Sequence, residues 1–262
     1  MRKSIFMTKP NVSSEFSLYA SSYDRYAQIQ RIVLDALAPK VAGQDPGTVI
    51  DIGCGTGLST RALRKRFPTA KILAFDVSPK MIAQAKQLCR EENISFEVND
   101  AQTFSFPNSV DLIFSNVSFQ WMRDLDLVLA KCRTGLRPGG TLAFSVFGPG
   151  TYTELESTLS RLLGKNIELE ASRFRRPDTY KAMLTPLFNK VSVGSTVETL
   201  TFRDFVSLIR SIKYTGTKGS GISERRIWTR RLIAQADQLY RDSFRTIKAS
   251  FHVTYCIAED PK

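Results

Sequence analysis

The sequence predicts an α/β protein built on a doubly wound, mostly parallel sheet of seven strands. Between residues 48 and 148, short β-branched runs alternate with amphipathic helical patterns at the spacing of βαβ units. A glycine-rich loop follows the first run, at residues 53–57, and two more strand patterns occupy residues 188–202 and 250–260. Right-handed crossovers would bring the loops after the parallel strands to one edge of the sheet.

The first predicted element is helical and covers residues 12–42. Its apolar residues recur at three- and four-residue spacings, and Pro39 closes the run. This spacing places Tyr19 and Tyr23, four residues apart, on one helix face.

Five strands and three helices are predicted next. The strands are TVIDIG (48–53), AKILAFDV (70–77), ISFEVND (94–100), SVDLIFSNV (109–117) and TLAFSVFG (141–148). The helices are LSTRALRKRFP (58–68), SPKMIAQAKQLCREEN (78–93) and DLDLVLAKCRTGL (124–136). Ser78 and Pro79 suit the N-cap and the first position of the second helix. RPGG, at residues 137–140, predicts a turn before the fifth strand.

The pattern changes after residue 150. Residues 151–186 are predicted to be helical with a basic kink, and residues 202–216 and 224–244 form amphipathic helical patterns. We interpret the chain as one domain, 1–262, with a core of about 45–150, 187–200 and 247–258. A helical cap over the sheet edge is expected from about 1–30, 151–186 and 202–246.

Composition narrows the class of protein. No apolar run approaches the roughly 20 residues needed to span a bilayer, and the apolar part of MRKSIFMTKP is too short for a secretory signal. We therefore expect a soluble, cytoplasmic protein without membrane association. The four cysteines form no C-x-x-C pair, and His252 is the single histidine. Reduced thiols and no metal site are the expectation.

The net charge of +12 is unevenly distributed. Residues 201–250 contain eleven Lys and Arg but only four Asp and Glu. Such a surface attracts an acidic partner, either nucleic acid or an acidic protein. The same charges are also typical of a solvated helix face.

The glycine loop carries the first chemical signal. Gly53 and Gly55 fit a dinucleotide fingerprint, but the third glycine falls one residue early, at Gly57. Asp51 precedes the loop, and its carboxylate would repel a pyrophosphate but attract an ammonium group. S-adenosylmethionine has both a nucleoside and an amino-acid ammonium, so it is the predicted ligand.

Two further aspartates end the next strands. Asp76 follows Asp51 by 25 residues and can accept hydrogen bonds from both ribose hydroxyls. Asp100 can accept from the adenine amino group, beside the backbone N–H of Ala101. Taken singly, a glycine loop is often only a turn, and a strand-end aspartate is often a helix N-cap.

The ordered combination of D-x-G-x-G-x-G, a strand-end aspartate, N-D and D-L-I-F-S-N before R-P-G-G resembles the class I S-adenosylmethionine-dependent methyltransferases over residues 45–148. The resemblance implies a Rossmann-like sheet. It also implies a set of cofactor-binding residues, with no metal. These are Tyr19, Asp51, Gly53, Cys54, Gly55, Asp76, Val77, Met81, Asp100, Ala101, Ser115 and Asn116.

Five sequence blocks indicate one particular family within this class of methyltransferases. They are FSLYASSYDRYAQIQ (16–30), SNVSFQWMRDLD (115–126), SRFRRPDTY (172–180), LIRSIKYTGT (208–217) and FHVTYCIAED (251–260). In this order they resemble the malonyl-carrier-protein O-methyltransferases of biotin synthesis. The chain departs from S-L-K-G-I-G-A at residues 211–217 and from Leu-Thr-Tyr at residues 253–255. The departures concern the shape of the acyl pocket.

The family reaction methylates the free carboxylate of a malonyl thioester. A carboxylate is already ionised near neutral pH, so no general base is needed. A cation must hold it, and the resemblance implies Arg173 first and Lys213 second. Either side chain could instead be a solvated surface residue.

Other residues near the methyl group are implied by the same resemblance. Tyr19 and Tyr23 would close over the cofactor, with the Tyr23 hydroxyl near the reacting oxygen, although both are also typical of helix packing. Gln120 and Trp121 would contact the substrate, although Trp121 also suits a core position.

The acidic acyl carrier protein is the implied partner. It would dock on the basic cap, which includes Arg225, Arg226, Arg230 and Arg231. Methylation of another small acid such as aconitate, methylation of RNA, and a non-enzymatic S-adenosylmethionine-binding regulator are the alternatives. No RNA-binding module is recognisable, so nucleic acid is not the expected partner.

Overall fold

A computed structural model describes residues 12–41, 45–215 and 229–262. Its centre is one seven-stranded sheet in the order β3-β2-β1-β4-β5-β7-β6. The strands are β1 Thr48–Ile52, β2 Lys71–Asp76, β3 Ile94–Val98, β4 Val110–Asn116, β5 Leu136–Phe147, β6 Phe188–Phe202 and β7 Ile247–Pro261. β7 pairs antiparallel with β5 and β6, whereas β1 to β5 pair in parallel. The predicted doubly wound, mostly parallel sheet of seven strands is confirmed.

Ten α-helices occur in the described ranges. They are α1 Val12–Tyr19, α2 Tyr23–Tyr26, α3 Gln28–Leu37, α4 Leu58–Arg66, α5 Pro79–Leu88, α6 Leu125–Gly135, α7 Thr153–Leu163, α8 Pro177–Leu184, α9 Phe205–Tyr214 and α10 Arg230–Phe244. Side-chain caps fix several starts, since Ser78 accepts a hydrogen bond from the Met81 N–H and Asp124 accepts one from Leu127.

The prediction of one helix over residues 12–42 is wrong. The segment breaks into α1, α2 and α3. Ser22 donates from its N–H and its hydroxyl to the Tyr19 carbonyl, a local bond that competes with helix continuation. Residues 151–186 likewise divide into α7, a short 3₁₀ turn at Glu170–Arg173 and α8.

The predicted RPGG turn lies inside β5 as a bulge. Val110 of β4 pairs with Leu136, but Leu112 pairs with Thr141, so four residues of β5 lie opposite one residue of β4. Gly139, with φ of +74°, takes the left-handed conformation in this bulge.

Hydrophobic cores cover both faces of the sheet. On one face, α3, α7, α9 and α10 pack on the strands, and on the other face α6 and α8 do so. α10 packs against both α7 and α9, and all three helices pack on β7. The late helices, expected to cap the sheet edge, therefore cover one face near β7. The domain boundaries given above remain a prediction.

The four cysteines are buried and not disulfide-bonded. Cys54 and Cys89 lie in a small cluster with Ile82, Ala85 and Phe96. Burial raises the pKa of all four thiols, which favours the protonated form.

Two negative observations apply to the described part of the chain. No helix there is both long and apolar enough to cross a bilayer. No group of three or more His, Cys, Asp or Glu side chains there is arranged to hold a metal ion.

Candidate active site

A cavity of about 490 Å³ opens at the carboxyl ends of β1, β2 and β4. This is the edge where parallel α/β sheets bind ligands. Its wall combines the glycine loop, strand-end carboxylates and aromatic rings from the N-terminal helices. The lining residues that concern the site are Ser13, Phe16, Tyr23, Gly53, Gly55, Asp76, Val77, Met81, Asp100, Ala101, Gln102, Asn116, Ser118, Trp121 and Arg123.

The glycine loop is held tightly against β2. The N–H groups of Gly53 and Cys54 donate to the Phe75 carbonyl, and the Gly55 N–H donates to Asp76 Oδ2 at 3.0 Å. Gly53, Gly55 and Gly57 have φ between +55° and +83°, which side-chain-bearing residues rarely adopt. The loop therefore exposes backbone to the cavity without side chains in the way.

Asp76 and Asp100 lie on the wall, as do the predicted neighbours Val77, Met81 and Ala101. Asp76 Oδ1 accepts from the Ser78 N–H at 2.8 Å, and Asp100 Oδ1 accepts from the Gln102 N–H at 2.9 Å. Burial raises the pKa of Asp76. Each carboxylate oxygen can accept more than one bond, so both groups retain acceptor capacity toward a ligand.

Asp51 lies behind the glycine loop and is fully buried. Its Oδ2 accepts from the hydroxyls of Ser59, at 2.7 Å, and Thr60, at 2.6 Å. Its Oδ1 accepts no hydrogen bond from the described residues. Burial raises the pKa of Asp51 to about 6. An unpartnered buried carboxylate oxygen fits a ligand with an N–H donor and a positive charge.

Besides Asp51, three predicted cofactor-binding side chains are absent from the residues described on the cavity wall. The Cys54 thiol packs in the cluster with Ile82 and Ala85. The Ser115 hydroxyl donates to the Ile52 carbonyl at 2.9 Å and lies 2.6 Å from Ser118 Oγ. Ser118 is on the wall instead. Tyr19 is the third such residue, and it turns toward α9.

The break between α1 and α2 separates the two tyrosines that were predicted to share a helix face. The Tyr19 ring packs edge-on against Tyr214, with centroids 5.1 Å apart. Tyr23 is half-buried on the cavity wall. Burial raises its pKa, and the nearby carboxylates of Asp76 and Asp24 raise it further. The Tyr23 hydroxyl therefore stays protonated and can donate a hydrogen bond.

Four aromatic rings pack together at the cavity, and Phe16, Tyr23 and Trp121 line it together with the strand-end carboxylates. The Phe16 ring contacts Tyr23 at 6.4 Å and Trp121 at 6.3 Å, and Trp121 contacts Phe174 at 5.5 Å. We call these four residues the aromatic wall. Trp121 thus belongs to the site rather than to the core, and the sequence pattern did not single out Phe16 or Phe174.

Asn116 and Gln120 hold the loop after β4. The Asn116 amide donates to the Gln30 carbonyl at 2.9 Å and accepts from the Ser145 hydroxyl at 2.8 Å. The buried Gln120 amide donates to the Val117 carbonyl at 2.9 Å, while its Oε1 accepts no bond from the residues described. Their side chains mainly join elements, and of the two only Asn116 lines the cavity.

The two predicted substrate cations lie away from the described wall. The side chain of Arg173 is 67% exposed, and its Nη2 is 3.9 Å from Glu168 Oε2. Lys213 Nζ lies 5.9 Å from the Tyr19 ring centroid and 6.0 Å from that of Tyr214. Among the described residues that line the cavity, the one cation is Arg123, which sequence reasoning missed.

The predicted basic docking surface is described only in part. Arg230 and Arg231 occupy the first turn of α10 and are exposed. Arg225 and Arg226 lie outside the described residues.

A family model described as a methyltransferase domain matches residues 49–140. The chain is 34% identical over 260 residues to malonyl-acyl-carrier-protein O-methyltransferase 1 of Ilyobacter polytropus, covering 97% of this chain and 96% of that protein. It is 31% identical over 265 residues to a protein of the same name from Xylella fastidiosa, covering 96% and 88% of the two chains.

Two solved structures support the fold. A phosphoethanolamine N-methyltransferase of Haemonchus contortus in complex with S-adenosylhomocysteine superposes with a TM-score of 0.60 at 16% identity, covering 97% of this chain and 61% of that one. The YcgJ protein of Bacillus subtilis gives a TM-score of 0.60 at 16% identity, covering 88% and 99%. At these identities the likeness concerns the fold.

Proposed function

The chain belongs to the malonyl-acyl-carrier-protein O-methyltransferase family, and from that premise we propose that it methylates the free carboxylate of a malonyl thioester on acyl carrier protein, with S-adenosylmethionine as the methyl donor. The methyl ester would then serve biotin synthesis. One observation carries the proposal. The aromatic wall joins residues from three separate family blocks, 16–30, 115–126 and 172–180, and Phe16, Tyr23 and Trp121 of this wall line the same cavity as Asp76 and Asp100.

The residues around the glycine loop fit S-adenosylmethionine. We assign Asp76 to the ribose hydroxyls, Asp100 and the Ala101 N–H to the adenine, and the free Oδ1 of Asp51 to the ammonium group. When bound, the cofactor supplies an electrophilic methyl group on a sulfonium. The acceptor carboxylate is ionised near neutral pH, so the enzyme needs no base to activate it.

The remaining work is positioning and exclusion of water. The aromatic wall provides a face that excludes water from the reacting oxygen. The Tyr23 hydroxyl, held in its protonated form by burial, donates toward that oxygen or its neighbour. Trp121 packs beside the acyl group, and Gln120 holds the loop on which Trp121 lies.

Arg173 precedes Phe174, whose ring belongs to the aromatic wall. Its contact with Glu168 at 3.9 Å is between two exposed side chains, and such pairs contribute about 1 kcal/mol or less. The substrate carboxylate can therefore replace Glu168 at little cost. We assign Arg173 to that carboxylate. We assign Lys213, whose Nζ lies near the rings of Tyr19 and Tyr214, to the same anionic end of the substrate.

The carrier protein is proposed to approach α10, where Arg230 and Arg231 are exposed. Acyl carrier proteins are acidic, so this charge would speed the encounter and fix its orientation. The proposal also includes Arg225 and Arg226, which precede α10 in the sequence and lie outside the described residues.

The decisive experiment offers four acceptors to the enzyme with S-adenosylmethionine: malonyl carrier protein, malonyl-coenzyme A, free malonate and RNA. Methyl ester formation on malonyl carrier protein, at a higher kcat/KM than on free malonate, is expected. Asp76→Ala should abolish the signal on every acceptor. Labelling of free malonate or RNA alone would overturn the proposal.

A further inference from the structure

The N-terminal helices cross the cavity as a strap, defined here as residues 12–26. On one side, the Ser13 hydroxyl donates to the Val77 carbonyl at 2.9 Å, and Ser17 Oγ lies 2.8 Å from Ser78 Oγ. The strap contributes Ser13, Phe16 and Tyr23 to the cavity wall. A ligand in this cavity therefore has the strap as part of its wall.

Asp24 attaches the other side of the strap to the glycine loop. Its Oδ1 accepts a hydrogen bond from the Thr56 hydroxyl, and its Oδ2 lies 3.3 Å from Arg61 Nη2. Arg61 Nη1 in turn donates to the Thr56 carbonyl at 2.9 Å, which closes a three-residue network. Thr56 is buried, and Asp24 and Arg61 are each about 70% shielded from solvent by side-chain area, 28% and 30% being exposed.

The positions of Thr56 and Asp24 connect this network to the glycine loop and to Tyr23. Thr56 lies between Gly55 and Gly57, so its conformation is that of the loop that faces the ligand. Asp24 directly follows Tyr23, which lines the cavity. A bond between Asp24 and Thr56 therefore joins the orientation of Tyr23 to the state of the glycine loop.

We propose that Asp24 is a positioning residue that latches the strap onto the glycine loop, so that bound cofactor is retained and Tyr23 is held toward the reacting oxygen. The proposal rests on the assignment of S-adenosylmethionine to this cavity. Arg61 orients the Asp24 carboxylate through the 3.3 Å contact between Nη2 and Oδ2. The serine contacts at Val77 and Ser78 act as the other anchor of the strap.

The test compares Asp24→Ala, Asp24→Asn and Thr56→Val with the control Asp35→Asn. Asp35 is exposed on α3, and its substitution by Asn removes the same charge from the N-terminal region. Stopped-flow displacement gives the dissociation rate of S-adenosylhomocysteine, and steady-state assays give kcat and KM. Asp24→Ala and Thr56→Val should each raise the dissociation rate by about tenfold, the effect of losing one charge-assisted hydrogen bond.

The proposed latch also predicts a result that a merely structural role for Asp24 would not give. The double variant Asp24→Ala/Thr56→Val should release product no faster than the faster single variant, because both changes break one contact. Amide hydrogen exchange should quicken in residues 12–26 but not in β1 or β4. Asp24→Asn, which keeps an acceptor oxygen, should retain part of the slow release.

Unchanged release rates in both single variants, or additive effects in the double variant, would overturn the latch. If Asp24→Ala does not fold, Thr56→Val alone decides. Failure of the proposed function is distinguishable, since it would leave cofactor binding intact while malonyl carrier protein stays unmethylated in the wild type.

Discussion

A Cβ atom built on Gly53 would lie 2.5 Å from both Cβ and Oγ of Ser118. The first glycine of the loop is thus required by a neighbour in the protein, since the Ser118 side chain fills the space above it. Gly55 differs, because within the described ranges nothing lies within 4 Å of its hypothetical Cβ. The two glycines serve packing and ligand access, respectively.

Gly53→Ala should destabilise the protein by roughly 3 kcal/mol, from steric overlap and a φ of +69°. Ser118→Gly, combined with it, should recover the steric part. Gly55→Ala should destabilise the protein less than Gly53→Ala does. It should weaken S-adenosylmethionine binding at least as much as Gly53→Ala does. Thermal unfolding and calorimetry separate the two effects. Equal losses of stability at positions 53 and 55 would contradict this assignment.

Asp76→Ala should weaken S-adenosylmethionine binding by at least about a hundredfold, since charge-assisted hydrogen bonds contribute about 1.5–3 kcal/mol each. The variant also removes the acceptor of the Gly55 N–H, so the glycine loop loses its tie to β2. Calorimetric titration measures the change. Asp126→Ala, an exposed aspartate of α6, is the matched control. Unchanged affinity in Asp76→Ala would refute the ribose assignment.

Cofactor binding should release a proton near pH 6, because burial raises the pKa of Asp51 to about 6 and a bound ammonium lowers it again. Below pH 6, the affinity for S-adenosylmethionine should rise about tenfold for each unit by which the pH increases. Above pH 6 the affinity should level off. Calorimetry in two buffers of different ionisation enthalpy counts the proton. Asp51→Asn should show no such release, and a proton count of zero in the wild type would exclude Asp51.

In the cofactor-free protein, ionisation of Asp51 should have the opposite effect. A rise in pH that increases cofactor affinity should lower the free energy of unfolding. A carboxyl whose pKa is raised on folding stabilises the native state at low pH, and this contribution falls as the pH rises from about 4 through about 6. At neutral pH the ionised Asp51 costs about 3 kcal/mol of folding free energy. Saturating S-adenosylmethionine should therefore raise the Tm more at pH 7 than at pH 5.

Arg173→Ala should lower kcat/KM for malonyl carrier protein by about a hundredfold while leaving cofactor affinity nearly intact, because its partner is the substrate carboxylate. Arg176→Ala is the matched control, since Arg176 is an exposed arginine three residues away. Initial rates at several acceptor concentrations give the comparison. Equal turnover by Arg173→Ala would remove Arg173 from the mechanism.

Reversing the charges of Arg230 and Arg231 to Glu should raise the KM for malonyl carrier protein by about tenfold and leave turnover of malonyl-coenzyme A unchanged. Added salt should weaken the wild-type encounter and reduce the difference. Arg90→Glu, an exposed residue after α5, serves as the control. A matching loss with malonyl-coenzyme A would place the two arginines in the acyl site.

The parallel part of the sheet was predictable because β1 to β4 are short apolar runs bounded by turn residues, and because parallel connections have one handedness. Loss of helix continuity at Ser22 was not predictable from apolar spacing, since spacing does not register hydroxyl-to-carbonyl bonds. The bulge before Thr141 was also missed, because it depends on register with β4.

The site was predictable at strand ends, where Asp76 and Asp100 follow from topology. Three residues expected at the cavity, Asp51, Ser115 and Cys54, lie behind its wall. Asp51 accepts hydrogen bonds from neighbouring hydroxyls, Ser115 donates to a β1 carbonyl, and Cys54 packs on α5. Phe16 and Phe174 come from distant segments, and only three-dimensional contact shows that they join Trp121.

The burial of all four cysteines makes this chain suitable for site-specific labelling. Protonated, inaccessible thiols react slowly with maleimides, so a single cysteine introduced at Leu18, which is 64% exposed on the strap, would take up a fluorophore in the native background. Its emission would report opening of the strap in real time without removal of any natural cysteine.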